Sequence, residues 1–114
     1  MGIEEWSDDI TIVELNDEPS FSEDLDALQA RLEKVKKAEL IPDVILNMAG
    51  VSYLNSSNIA QLLRLRKKLH MSNKRLRLCS VNDGVWSVLL TTGLDTVFTF
   101  NEDVSTSLAS LQLG

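Results

Sequence analysis

Between Pro42 and Ala49 the chain runs Asp43-Val44-Ile45-Leu46-Asn47-Met48, apolar at almost every position. A strand with one wet face alternates between apolar and polar residues, whereas one covered on both faces does not. This run therefore predicts a central strand with protein packed above and below it, entered through a proline that cannot donate to a ladder. The flanking segments must supply those two layers.

They read as further strands alternating with helices. Residues 3–7 and 10–15, with Ile10, Ile12, Val13 and Leu15, are separated by Ser7-Asp8-Asp9 and suit two short strands joined by a tight turn. Asn16, Asp17, Glu18 and Pro19 then end the second strand. A first helix follows from Ser20. Ser20 and Glu23 have capping-box spacing, Ser22 is a rival cap, and Leu25, Leu28, Leu32 and Val35 form one stripe. Glu23, Asp24 and Asp26 sit near the positive end of this helix, and Lys34, Lys36 and Lys37 near the negative end. Beyond the central strand come a second helix over about residues 56–70, a strand over 75–79, a third helix over 83–92 and a strand over 97–100. A last helix from about Glu102 carries Val104, Leu108 and Leu111 and is capped by Asn101 or a neighbour. An opening hairpin followed by right-handed βα units implies an α/β fold: one domain over residues 1–114, with a mixed, mostly parallel sheet of about five strands and about four helices.

The totals suit such a domain. At 114 residues, 44% hydrophobic and 25% charged, one core is expected, without a disulfide or structural metal. Cys79 has no partner, which fits a reducing compartment. The first nine residues hold four acids, no Lys or Arg and no apolar stretch resembling a secretory signal. Runs such as Val44-Ile45-Leu46 are far too short to span a bilayer. The expectation is a soluble, cytoplasmic protein without membrane insertion.

A net charge of −6 argues against general nucleic-acid binding. The charge is nevertheless segregated along the chain. Residues 1–43 carry 13 acidic and four basic side chains, residues 44–82 carry seven basic and no acidic ones, and residues 83–114 carry four acidic and no basic ones. The basic middle is either an ordinary solvated helix face and strand or a surface that meets a partner.

Catalytic chemistry finds little support. With one His, His70, and one Cys, Cys79, no histidine-rich or Cys-x-x-Cys metal site can form within the chain. Cys79 ends a strand beside Leu78, and the ordinary role of such a cysteine is that of a small core hydrophobe. There is no G-x-G-x-x-G, no Walker loop and no G-x-S-x-G elbow. Trp6 and Trp86 lack the basic and aromatic neighbours of a base-stacking platform. No catalytic residue, metal or cofactor is assigned, and the expectation is a protein that is not an enzyme.

The distinctive segment is Leu54-Asn55-Ser56-Ser57-Asn58, small hydrogen-bonding residues between a buried strand and an amphipathic helix. Helix capping alone accounts for these residue types. A helical wheel adds a second point. It places Ile59, Leu62, Leu63 and Leu69 inward, and Ser57, Gln61, Arg64 and Lys68 together on the opposite side. Ser57 is then an exposed hydroxyl at a helix N-terminus, where free N–H groups and the dipole favour a phosphate. Such a phosphate would add about two negative charges and disrupt any partner packed there.

The stretch Asp43-Val44-Ile45-Leu46-Asn47-Met48-Ala49-Gly50-Val51-Ser52-Tyr53-Leu54-Asn55-Ser56-Ser57-Asn58-Ile59 resembles the STAS pattern of hydrophobic strand, turn, Asp-Ser-Ser-Gly and helix. Thr92-Gly93-Leu94-Asp95 with Val97-Phe98 resembles the same family's Thr-Gly-Leu segment. The resemblance spans nearly the whole chain and implies a STAS domain of the anti-sigma-factor antagonist type. Such proteins bind an anti-sigma factor that is also a serine protein kinase, release a sigma factor, and are switched off when the kinase phosphorylates the second serine of the motif. That serine corresponds to Ser57, with Ser56 the second choice. The resemblance implies a partner-binding surface of Asn55, Ser56, Ser57, Asn58, Gln61, Arg64 and Lys68. The chain departs from the family at Asn55, in place of the motif's Asp, and at Asn58, in place of its Gly. It also departs at the turn before the first helix, which lacks a glycine. The alternative is a STAS domain that is never phosphorylated and serves as a scaffold or a subunit of a larger complex.

Overall fold

The computed structural model describes residues 2–114. The chain forms β1 (Ile3–Glu5), β2 (Ile10–Asn16), α1 (Ser20–Glu33), β3 (Asp43–Gly50), α2 (Ser56–Met71), β4 (Leu76–Cys79), α3 (Asp83–Thr92), β5 (Thr99–Asn101) and α4 (Val104–Leu113). Short 3-10 turns occupy Ala38–Leu40 and Leu94–Thr96. The five strands make one sheet in the order β1-β2-β3-β4-β5. β1 is antiparallel to β2, and every later pair is parallel.

That order explains the layering. Each right-handed crossover steps the same way along the sheet, so α1, α2 and α3 fall on one face. Val13, Leu15, Val44, Leu46, Met48, Leu76 and Leu78 point into that layer and meet Phe21, Leu25, Leu28, Leu62, Leu65, Leu69, Val85 and Leu89. The intervening residues Ile10, Ile12, Ile45 and Cys79 point to the other face, where Leu111 of α4 covers them. Pairings of Val13 with Leu46 and of Leu46 with Leu78 keep each row on its own side, because a slip of one residue would turn it over. The apolar run of β3 is thus packed on both faces, as are residues 10–13 of β2 beside it.

Local signals end the helices. α2 closes in a Schellman arrangement: Asn73 takes a left-handed φ of 57°, Lys74 N–H donates to the Leu69 carbonyl and Asn73 N–H to that of His70. α3 stops at Gly93, whose φ of 74° suits a residue without a Cβ. Three expectations change at element ends. The Ser20–Glu23 capping box does not form; Glu18 reaches forward and accepts the Ser22 N–H at 2.7 Å instead. β5 begins at Thr99, because the Leu94–Thr96 turn takes up the residues before it. Asp103 caps α4, accepting the Thr106 N–H at 2.8 Å. Among the described residues, no helix is long and apolar enough to cross a membrane.

Candidate functional site

The carboxyl ends of β2, β3 and β4 bring three loops together, around residues 17–19, 51–55 and 80–82. In parallel α/β sheets this edge is where sites are commonly built. Near it, the β2–β3 register shifts between Glu14 and Asn16, so that β3 carries an extra residue before Gly50 and leans into the loop cluster.

Side chains tie the loops to one another. Asp17 accepts both the Ser52 N–H (2.8 Å) and the Ser52 hydroxyl (2.6 Å), and these bonds hold its carboxyl below the usual range. The Asn82 amide donates to the Val51 carbonyl while its oxygen accepts the Val85 N–H at 3.2 Å, so one residue caps α3 and fastens the preceding loop. Gly84 lets α3 approach closely: a Cβ there would lie 2.6 Å from the Ser52 carbonyl oxygen.

The start of α2 is fastened in the same way. Asn55 is the N-cap. Its side-chain oxygen accepts the Asn58 N–H at 2.8 Å, and the Asn58 oxygen accepts the Asn55 N–H at 3.0 Å. This is a capping box in which both roles usually given to Ser or Thr and Glu are played by asparagine. The Asn58 amide then donates to Glu18 Oε2 at 3.4 Å. Glu18 also accepts the Ser22 hydroxyl at 2.6 Å and the Ser22 N–H, and these contacts, Ser22 foremost, hold its carboxyl low. A turn deeper, the Gln61 amide donates to Asp26 Oδ1 at 3.1 Å, and its oxygen lies 3.2 Å from Ser22 Oγ. The Ser22 hydroxyl has one proton, and the shorter contact to Glu18 takes it.

These contacts correct the helical wheel. Asn58 is 2% exposed and Gln61 8%, so both face α1 instead of solvent. Leu63, expected inside, is 38% exposed. The inward arc is Asn58, Gln61, Leu62, Leu65 and Leu69, rotated because two amides find partners on the α1 side. Asn55, Ser56, Ser57 and Arg64 are exposed, and Lys68 is half-buried. The anticipated surface is thereby reduced to Asn55, Ser56, Ser57, Arg64 and part of Lys68. Tyr53, 63% exposed in the preceding loop, is a large ring beside it that the sequence analysis left unassigned. Its aromatic type at the mouth of a helix-capping segment was the available signal.

Ser56 and Ser57 occupy the first two positions of α2. The Ile59 N–H makes the first bond back, to Asn55 O, and the Asn58 N–H is taken by the cap. The N–H groups of Ser56 and Ser57 thus precede the intrahelical ladder, and the adjoining Ser57 hydroxyl is open to solvent. Cys79 is fully buried under α4, and burial pushes its thiol up, away from the thiolate needed for nucleophilic chemistry. Among the described residues, no cluster of three or more His, Cys, Asp or Glu could hold a metal ion.

Comparisons agree with this architecture. No curated protein matches the chain in sequence. Among solved structures, it is similar to the anti-sigma factor antagonist SpoIIAA in its unphosphorylated form (TM-score 0.78, 14% identity, 96% of this chain and 94% of that one). It is similar to an anti-sigma-factor antagonist (STAS) domain protein from Planctomyces limnophilus (TM-score 0.75, 20% identity, 90% and 91%). It is also similar to a sulfate transporter family protein from Wolinella succinogenes (TM-score 0.73, 22% identity, 91% and 85%). At these identities the likeness is one of fold. The STAS domain family itself matches residues 5–107, and this chain belongs to the STAS domain family.

Proposed function

We propose that this chain is a protein-binding regulator of the anti-sigma-factor antagonist kind. It binds an anti-sigma factor that is also a serine kinase, frees a sigma factor in the cytoplasm, and is released when Ser57 is phosphorylated. The observation that carries this reading is the position of Ser57: exposed, second in α2, directly after a fully satisfied N-cap. A phosphate there meets unengaged N–H groups and the positive end of the helix, so the fold tolerates it. For a partner the same group is a new dianion. It also lies next in sequence to Asn58, whose amide holds Glu18, so that added negative charge falls near an existing carboxylate.

The interface would consist of Asn55, Ser56, Ser57 and the outward Arg64, with Tyr53 as an aromatic anchor and Lys68 at the rim. Asn58 and Gln61 act from behind, fixing the α2 start against α1. No catalytic role is assigned to any residue.

A second reading is favoured by the cap itself. Asn55 and Asn58 stand where the family motif has Asp and Gly, and they are occupied with each other. A kinase that reads the motif's carboxylate loses that contact, which suits an unphosphorylated scaffold or a subunit of a larger complex. Mass spectrometry of the chain from its own cells, or after incubation with candidate kinases and ATP, separates the two. Phosphate on Ser57, with loss of kinase binding in Ser57→Asp, supports the switch. An unmodified Ser57 under conditions that phosphorylate a control antagonist supports the scaffold.

A further inference from the structure

The far end of α2 carries a second cluster of cations, which adjoins the Ser57 surface at Arg64 and Lys68 and extends well beyond it. Helix Ser56–Met71 contains no Asp or Glu, yet Arg64, Arg66, Lys67, Lys68 and His70 follow one another along it. Arg64 and Lys68 are four apart and Arg64 and Lys67 three apart, so like charges stack on neighbouring turns where helices usually alternate signs. Lys74, Arg75 and Arg77 continue the positive charge from the α2 end into β4.

Apart from Arg75, these groups have no ion-pair partner among the described residues. Among the described residues the ion pairs are Arg31 with Glu5 and Arg75 with Asp43. Arg66, Lys74 and Arg77 are instead held by neutral oxygens: Arg66 Nε donates to Val97 O at 3.1 Å, Lys74 Nζ to Glu39 O at 3.3 Å, and Arg77 Nε to Ser110 Oγ at 3.2 Å. Such bonds orient a cation without cancelling its charge. Arg66, His70, Lys74, Arg75 and Arg77 line a hollow of about 190 Å³ between the end of α2 and the entries of β4 and β5, and no carboxylate lines it. Burial first, and then the charge of Arg75, make the Arg77 guanidinium easier to deprotonate than usual, against the opposing charge of Asp43.

We propose that the end of α2 around Arg66, Lys67 and His70, with Lys74 and the entry of β4, forms a docking surface for an acidic polypeptide segment, centred away from the Ser57 face. Ser57 and His70 are 13 residues apart on one helix, or about 20 Å at 1.5 Å per residue. The run of cations from Arg66 through His70 to Arg77 suits an extended chain of carboxylates better than a single small anion. Nucleic acid fits less well, because the aromatic ring at the hollow, Phe98, is buried and offers no face for base stacking.

The test is titration of the full chain into a fluorescein-labelled octaglutamate peptide, followed by anisotropy at low salt. Saturable binding that weakens about tenfold or more at several-fold higher salt is expected. The Arg66→Gln/Lys67→Gln/Lys74→Gln protein should lose about tenfold in affinity or more, while a Lys34→Gln/Lys36→Gln/Lys37→Gln protein with the same charge change loses less than about twofold. In case the first variant folds poorly, amide shifts of the wild-type chain during the titration provide an independent reading, and they should cluster at residues 63–77. No binding, equal loss in both variants, shifts centred elsewhere, or tighter binding of single-stranded DNA or phosphatidylserine vesicles than of the peptide would each overturn the proposal. Phosphorylation of Ser57 has no part in these readouts, so either reading can fail alone.

Discussion

Asp17 and Ser52, 35 residues apart in the sequence, are joined by two hydrogen bonds, one to the serine backbone and one to its hydroxyl. Through this pair the loop that ends β2 holds the loop that starts α2. Both bonds are stronger to the carboxylate than to the protonated acid, so the tether depends on pH. The folded-state pKa of Asp17 is lowered, first by the Ser52 hydroxyl, and that of Glu18 is lowered, first by the Ser22 hydroxyl. A lowered carboxyl pKa contributes stability that is present above the unfolded value, about 4, and is lost as pH falls through the folded value. Carboxyl-carbon NMR titration should place both midpoints below those of free side chains. Ser52→Ala should move Asp17 back toward 3.8; an unmoved midpoint would count against the tether.

The asparagine capping box makes a graded prediction. Asn55→Ala should cost about 1 kcal/mol, lowering the melting temperature by a few degrees, while Asn55→Asp should cost less because the acceptor remains. Asn58→Ala should cost more than Asn55→Ala, because it removes the bond to Glu18 as well. Thermal melts of the three variants give the ranking directly.

Which face of α2 is buried can be read from two adjacent leucines. Leu62 is fully buried and Leu63 is not. Leu62→Ala should cost about 2–5 kcal/mol, and Leu63→Ala about 1 kcal/mol or less. Equal losses in urea denaturation would mean that the helix is rotated from the position described above.

At Gly84 there is no room for a side chain against the Ser52 carbonyl. Gly84→Ala should therefore destabilise by about 1–3 kcal/mol in spite of alanine's better helix propensity. It should also shift the amide resonances of residues 51–54. A stabilised variant would show that the loop yields freely.

Cys79 lies beneath α4 with its thiol 3.6 Å from the Leu46 carbonyl. Its thiol pKa is raised, chiefly by burial. The native chain should resist a thiol-specific disulfide reagent at neutral pH and react fully once unfolded in guanidinium. Rapid reaction of the folded protein would show that α4 opens readily.

The architecture could be read from the sequence because β3 is apolar on both faces and the segments around it have clean periodicities, so element order and strand direction followed from handedness alone. The orientation of α2 was less legible. Asn58 and Gln61 were expected outside since polar side chains usually are, and only the distant Glu18 and Asp26, brought alongside by α1, make their burial favourable. The cap of α1 escaped for a related reason: Glu18 and Ser20 compete for one helix end, and the carboxylate, the stronger acceptor, captures the Ser22 N–H. Ser57 could be placed outside by both routes, since its exposure depends on the first turn of α2 alone.

Because the strand order of the sheet is its order along the chain, synthesis can add the layers one after another. Each parallel strand leaving the ribosome meets a neighbour that is already made, and the helix of its crossover closes the first face behind it. The second face must wait. Ile10, Ile12, Ile45 and Cys79 stay open until α4 emerges and folds back over them, anchored by the bond from Arg75 to the Leu111 carbonyl. A nascent chain paused just before that helix is half closed, and its uncovered isoleucine row is the surface a chaperone would meet.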